Sequence, residues 1–353
     1  MDREIRKIKL LVTSSCNLNC RYCFVKKGGQ VMDILVAKAA VGSLLKSPGL
    51  SKEILIYGGE PLLEFALVKK ISLFAKKEAQ KNKKELVVSV ATNGILLDSE
   101  KLLFFKKNEV KISISIDGDK KTHAPNRLQH NSIEYEKILK NLKLALSVMS
   151  PGQVSALVAV MPANAKKLYA NLIYLQKIGI ENFNLEPIQG QGYHWSAKAK
   201  AEFEKNLKNF IQHIFKSTRQ GKFIFLGSVT RFLIQNKSKR ETCLFCENME
   251  VSPAGDIFLS PFLIDAERPE DFVVGNFQKG FKKDYETCAY DKHSWQCRHC
   301  WKTYNGKAVF AGAEIVQLRN RMSEIFAAIL LDLAKKEKPF AAYVNKAQER
   351  IFE

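Results

Sequence analysis

The chain has no long hydrophobic run: no apolar stretch in its 353 residues approaches the roughly 18–20 residues that a membrane-spanning helix needs. Its N-terminus, MDREIRKIKL, is charged and leads straight into a strand pattern, so it is not a secretory signal. Histidine is scarce, six residues, and the first is His123. Low-complexity segments and long internal repeats are absent. Acidic residues are outnumbered, 36 against 56 Lys and Arg, which leaves a formal charge of +20. The hydrophobic content of 46% is that of a soluble globular protein. The compartment these features predict is the cytoplasm, where thiols stay reduced rather than pairing as disulfides.

Against that background, three of the eight cysteines are packed into one run, Cys16-Asn-Leu-Asn-Cys20-Arg-Tyr-Cys23, just after the hydrophobic run Lys7–Thr13. Three thiolates on one tight loop can cap three corners of a cubane iron–sulfur cluster and leave the fourth iron open to a substrate or cofactor. A structural zinc site wants four ligands and no open position, and no fourth Cys or His lies nearby. The C-x3-C-x2-C spacing, with Tyr22 before the last Cys, resembles the signature of the radical S-adenosylmethionine (SAM) superfamily. The resemblance implies that the open iron chelates the amino and carboxylate groups of SAM. An electron from the cluster then cleaves SAM to methionine and a 5′-deoxyadenosyl radical, which abstracts hydrogen from substrate.

Apolar strands alternate with amphipathic helices through the first half. The expected strands are Lys7–Thr13, Lys52–Tyr57, Glu85–Ala91, Val110–Ile116, Gln153–Val160 and Glu181–Glu186. The helices between them are Asp33–Lys46, Glu64–Lys81, Ser99–Lys107, Ser132–Ser150 and Ala165–Ile178. This alternation implies parallel βαβ units, in an open three-quarter barrel or a doubly wound sheet. The family resemblance selects the former, an α/β partial (β/α)6 TIM barrel, with its site at the C-terminal strand ends. A small Cys-rich auxiliary domain and C-terminal helices follow. The expected division is a barrel over 1–195, a helical connector over 196–240, an auxiliary cluster-binding domain over 241–310 and C-terminal helices over 311–353.

Further motifs fall at strand ends. Tyr57-Gly58-Gly59-Glu60-Pro61-Leu62-Leu63 follows the second strand. Paired glycines let backbone approach a ligand closely, and a strand-end carboxylate accepts from an ammonium group. The stretch resembles the family's GGEP motif, which binds the amino group of SAM. Ala91-Thr92-Asn93-Gly94 and Ser113-Ile114-Ser115-Ile116-Asp117-Gly118 resemble its TNG and S-x-DG elements. They imply that Ser113 or Ser115 reaches the ribose or carboxylate of SAM, and that Asn93 and Asp117 line the pocket or hold its loops. The next motif keeps His123 and Arg127 of the H-D-x-x-R pattern seen in peptide maturases, but has Ala124 in place of the Asp. Arg127 is expected to hold a carboxylate of cofactor or substrate by a bidentate contact, and His123 to pack the loop. Glu186 and Gln189, where the sixth strand ends, are candidates for cofactor or substrate contact.

Cys243-x2-Cys246 and Cys297-x2-Cys300 supply four thiolates for one tetrahedral site or one cubane, with Cys288 between them. Followed by Gly255 and Val273-Val274-Gly275-Asn276, they resemble the SPASM/twitch extension of peptide-modifying members. Ser260 stands where that pattern has a further Cys, and no Cys follows in Trp301–Val309. Five cysteines cannot fill two clusters, so the expectation is one auxiliary [4Fe–4S] cluster on Cys243, Cys246, Cys297 and Cys300, with Cys288 spare or replacing Cys246. Pro261, where sulfatase-maturing members carry an Asp, removes support for that activity. Only 15 residues precede Cys16, so a leader-binding module is expected as a separate protein, or the barrel binds the peptide directly.

The expected function is a radical SAM enzyme that modifies a ribosomally made peptide or protein by thioether or other cross-linking, epimerisation or oxidation. A small-molecule or RNA substrate is the second reading, and a non-catalytic, metal-stabilised binding protein the third. Expected partners are the peptide and a flavodoxin- or ferredoxin-type reductant. Lysines such as Lys76, Lys77, Lys81, Lys83 and Lys84 would attract an acidic partner. No basic stretch is interleaved with aromatics as in RNA-binding modules, so neither a membrane nor a nucleic acid is expected.

Overall fold

The computed structural model describes residues 4–127, 132–189, 192–235, 248–259, 264, 268–282 and 313–349. Two compact units emerge. The first comprises Met1–Ile112 and Glu241–Lys307, the second Ser113–Arg240 and Ala308–Glu353. Along the first unit run β1 (Lys7–Thr13), α1 (Ile34–Lys46), β2 (Ser51–Gly58), α2 (Phe65–Lys81), β3 (Glu85–Thr92) and α3 (Ser99–Lys107). The chain passes to the second unit within β4 (Lys111–Ser115). There follow α4 (Lys120–Arg127), α5 (Ser132–Val148), β5 (Val154–Val160), α6 (Leu168–Ile178), β6 (Asn182–Pro187), α7 (Ala197–Arg219), β7 (Phe225–Leu226) and α8 (Gly227–Gln235). The first unit resumes as β8 (Asn248–Val251), β9 (Asp256–Phe258), β10 (Gly275–Asn276) and β11 (Gly280–Phe281). Two helices of the second unit, α9 (Ala313–Lys336) and α10 (Lys338–Glu349), come last.

All six expected strands form, and the helices expected between them form as well. The expected helix Ala165–Ile178 begins later, at Leu168, because Pro162 opens a short 3-10 turn over Pro162–Lys167 first. β7 and α8 were not anticipated; they lie in the stretch expected to be a plain helical connector.

In the first unit β1 pairs in parallel with β2, and β2 with β3. The helix α1 starts where the Asp33 carboxylate accepts from the Leu35 amide at 2.6 Å, a side-chain N-cap. Its apolar residues Val36, Ala37, Ala40, Val41, Leu44 and Leu45 share one face and are buried, as the 3.6-residue period demands. Strand residues alternate. Ile8, Leu10, Ile54, Ile56, Val88 and Val90 are nearly inaccessible.

The opposite face of β1 carries charge within the hydrophobic run. Lys7 is buried, with its Nζ 3.3 Å from Glu53 Oε2, and Lys9 Nζ lies 2.8 Å from Glu250 Oε1. The registers Lys7↔Glu53 and Lys9↔Glu250 place these charges opposite each other. A buried lysine persists only with such partners. Lys52, fully buried, is likewise held by Ile5 O at 2.6 Å and Ser47 Oγ at 2.8 Å, and it also meets Pro48 O. Strand β8 therefore adds to the free edge of β1 in parallel, and β9, β10 and β11 continue from it antiparallel.

In the second unit β5 pairs in parallel with β6, and β6 with the two-residue β7. Helix α7 buries Phe203, Leu207, Phe210, Ile211 and Ile214, and Phe210 meets Phe183 edge-on, centroids 5.3 Å apart. Helix α9 packs on α8 and α10, with Ser228 and Ser323 hydroxyls 2.7 Å apart in the buried contact. Among the described residues, no helix is long and apolar enough to cross a membrane.

Candidate active site

Between β1 and α1 the chain makes a loop over residues 14–32 that carries the three clustered cysteines. Its base is stitched shut. Ser14 N donates to Gln30 O and Gln30 N to Ser14 Oγ, both at 2.9 Å, and Met32 N donates to Val12 O at 2.8 Å. Three apolar side chains of the loop are buried, Met32 among them. The others are Leu18 and Val25, and Val25 packs with Leu11 and Tyr57. Cys16 and Cys20 are half-buried, Cys23 is exposed, and none of the three is in a disulfide. Tyr22 is half-buried between them.

Local polar groups bias the sulfurs. Burial pushes the Cys16 thiol up, the Leu18 amide opposes this by donating to Sγ at 3.4 Å, and the nearby Glu60 and Cys20 raise it further. The Lys27 ammonium meets the Leu18 carbonyl; its charge lowers the Cys16 value. Among the described residues no three His, Cys, Asp or Glu side chains converge as around a single metal ion. Thiolates on a cubane each bind a different iron and stand further apart. Three thiols on one pinned loop, none of them in a disulfide, are a donor set that fits such a cluster.

The turn after β2 lies directly on this loop. Gly59 N donates to Thr13 O at 2.8 Å, and Glu60 N to Ser15 O at 2.9 Å. A Cβ on Gly58 would stand 2.3 Å from Thr13 O, and one on Gly59 would stand 2.3 Å from Ser15 O and 2.9 Å from Cys16 Cβ. The glycine pair is thus required by the close approach of the cysteine loop's own backbone, a reason the sequence reading assigned to a ligand.

Glu60 is wholly buried. Its Oε1 accepts from Leu62 N at 3.0 Å and Thr92 Oγ1 at 2.8 Å, and its Oε2 from Asn93 N at 2.7 Å. Desolvation nevertheless outweighs these three donors and pushes the carboxyl up to about 7. Asn93 closes the ring: its Nδ2 donates to Asn17 Oδ1 at 2.7 Å, while its Oδ1 accepts from Ile95 N at 3.0 Å. The first unit thus brings Cys16, Gly58, Gly59, Glu60 and Asn93 together. Asn17 and Thr92 belong to this set and were missed, although both stand inside the recognised motifs.

In the second unit Ser113 and Ser155 hydroxyls lie 2.8 Å apart, and Ser115 is half-buried. The expectation for Arg127 needs correction. Its fork is taken by this chain's own Asp117, Nε to Oδ2 at 3.0 Å and Nη2 to Oδ1 at 2.9 Å. Asp117 Oδ1 also accepts from Ala159 N at 2.9 Å. The Arg127 charge and hydrogen bonds hold the buried Asp117 carboxyl below its ordinary value against desolvation. Asp117 is therefore a holder of loops.

His123 packs as expected. Its ring lies 5.3 Å from Tyr135, and its Nδ1 accepts from Asp117 N at 3.2 Å, which places the proton on Nε2. Burial depresses its pKa to about 4, so it is neutral near pH 7. Gly118 has φ +139°, and a Cβ there would strike Asn171 Cγ at 2.3 Å. Glu186, at the end of β6, is exposed and bonded to Arg319. Arg319 was missed, as nothing local in its sequence marks it. Cys243, Cys246, Cys288, Cys297 and Cys300, with Ser260 and Pro261, lie outside the described residues.

Comparison with known proteins agrees with this geometry. Residues 10–169 match the Radical SAM superfamily model. A curated relative, a probable GTP 3′,8-cyclase of Methanococcus maripaludis, is 28% identical over 305 residues, covering 82% of this chain and 96% of that protein. Among solved structures, native anSMEcpe with bound AdoMet and Cp18Cys peptide superposes with a TM-score of 0.68 at 20% identity, over 98% of this chain and 100% of that one. SuiB of Streptococcus suis, bound to precursor peptide SuiA, gives 0.55 at 14% identity, over 83% and 66%. The fold is that of radical SAM enzymes with a partial TIM barrel and an auxiliary domain. The likeness to the radical SAM superfamily thus rests on the matched stretch, residues 10–169, which holds Cys16, Cys20 and Cys23.

Proposed function

We propose that this radical SAM enzyme modifies a ribosomally made peptide or protein. The observation that carries the reading is the fold, which over nearly the whole chain resembles an enzyme crystallised with SAM and a peptide. In this reading Cys16, Cys20 and Cys23 hold a [4Fe–4S] cluster, and one auxiliary cluster sits on Cys243, Cys246, Cys297 and Cys300, with Cys288 the alternate. The domain boundaries proposed are 1–195, 196–240, 241–310 and 311–353. When bound, cluster and SAM supply the 5′-deoxyadenosyl radical that abstracts hydrogen from substrate.

The chain's own residues do the holding. The loop over residues 14–32 is pinned by Leu18, Val25 and Met32, and in this reading it holds the three thiols for the cluster. Glu60 places an acceptor beside Cys16, and a cationic amine there would return its carboxyl to the charged form. Asn93 ties the end of β3 to the cysteine loop. Ser113, Ser115 and Glu186 are proposed contacts to cofactor or substrate.

A nucleotide substrate is the second reading, favoured by the likeness to the probable GTP 3′,8-cyclase. Anaerobically reconstituted protein with SAM and dithionite separates the two. Turnover of GTP to a new nucleotide would support the second reading. Inert GTP, together with a mass change on a short peptide encoded beside this gene, would support the first.

A further inference from the structure

Strand β6 outruns its neighbour. β7 pairs only with Asn182 and Phe183, which leaves the rest of β6 without a strand on that side. The gap is met by a side chain from α9, which follows β6 by more than a hundred residues. Arg319 is 7% exposed. Its Nη1 donates to Leu185 O at 2.6 Å and to Glu186 Oε2 at 3.3 Å. Its Nε and Nη2 both donate to Asn320 Oδ1, at 3.2 and 3.1 Å. Burying a guanidinium is costly unless its donors are met, and here an acceptor faces each of these three nitrogens. The first turn of α9 is also tied down, by the ion pair between Glu314 and Lys200 of α7.

Glu186 stands differently. Its side chain is 58% exposed. Among the described residues Oε1 has no hydrogen-bond partner. One oxygen is clamped from behind by a buried cation, and the other is presented outward at the C-terminal end of a parallel strand, where such folds bind their ligands. A carboxylate held this way accepts from N–H donors and repels phosphate.

We propose that Glu186 is a substrate-contacting acceptor for a cationic or N–H-rich segment of the peptide, and that Arg319 is the positioning residue that holds it. This rests on the peptide reading above, whose substrate class it narrows. Mere plugging of the Leu185 carbonyl by Arg319 would make its loss a matter of stability alone.

The test uses the reconstituted full-length enzyme, immobilised, and a pool of random capped dodecapeptides as probe, read by mass spectrometry. Wild type retains peptides carrying Lys or Arg in excess of their share in the pool. Glu186→Gln keeps the fold, since the side chain is exposed, and lowers that enrichment by about tenfold, the worth of one charge-assisted hydrogen bond. Arg319→Met lowers it similarly, and Arg319→Lys restores part of it. Thermal melts identify any variant that has simply unfolded. Enrichment of Lys and Arg peptides that is unchanged in folded Glu186→Gln overturns the proposal while leaving the peptide reading intact. Failure of every variant to retain peptide, with retention of GTP instead, overturns both.

Discussion

Glu60 carries an opposition of forces that a single substitution exposes. Three donors stabilise its anion, yet burial wins and the carboxyl sits at about 7 instead of 4.5. Since the folded value is the higher one, the associated stability is full below pH 4.5 and is lost as pH rises through about 7. It amounts to about 3 kcal/mol. Denaturant titrations of the metal-free protein between pH 4 and 8 should show this loss in wild type and its absence in Glu60→Gln. Arg127 predicts a different signature. Arg127→Ala leaves the buried Asp117 charge unpaired and should cost about 3–5 kcal/mol at neutral pH, read as a fall in the denaturation midpoint. Cys16, Glu60 and Asn93 were legible in the sequence because their spacing is set by chemistry on consecutive strand ends. The partner of Arg127 was not, because either a protein or a ligand carboxylate satisfies a guanidinium fork. Arg319 left no trace at all, since its role depends on an edge of β6 that β7 fails to cover.

At the scale of elements, the contact between the cysteine loop and the turn after β2 is the most demanding. Gly59→Ala would place a methyl 2.3 Å from Ser15 O, so loop or turn must shift. The expected outcome is protein that still folds but, after anaerobic reconstitution, loses most of the iron held by the loop, as measured by colorimetric iron assay and the cluster's visible absorbance. The strands and their helices were legible from apolar periodicity, since strand and helix alternate cleanly through β6. The burial of Lys7 and Lys52 was not legible. A lysine reads as surface until its partners are known: Glu53 on β2 for Lys7, and the Ile5 and Pro48 carbonyls with the Ser47 hydroxyl for Lys52.

For the whole molecule the account requires two separable iron sites. Wild type should reconstitute with about eight irons per chain, the content of two [4Fe–4S] clusters. Cys243→Ala or Cys297→Ala should keep about four irons and still cleave SAM. The net charge of +20 makes weak attraction to any polyanion unavoidable, and RNA binding of that origin should fall steeply with salt. The family was legible from motifs confined to residues 16–127. The substrate was not, because hydrogen abstraction places no mark on these motifs that tells a peptide from a nucleotide.

The central claim is that the loop holding Cys16, Cys20 and Cys23 is a radical-generating site. The most direct measurement is 5′-deoxyadenosine formed from SAM and dithionite by anaerobically reconstituted wild type and by Cys20→Ala. The account predicts steady formation by wild type and none by the variant, with the auxiliary iron retained. Formation that persists in Cys20→Ala, or its absence from iron-loaded wild type, would contradict it.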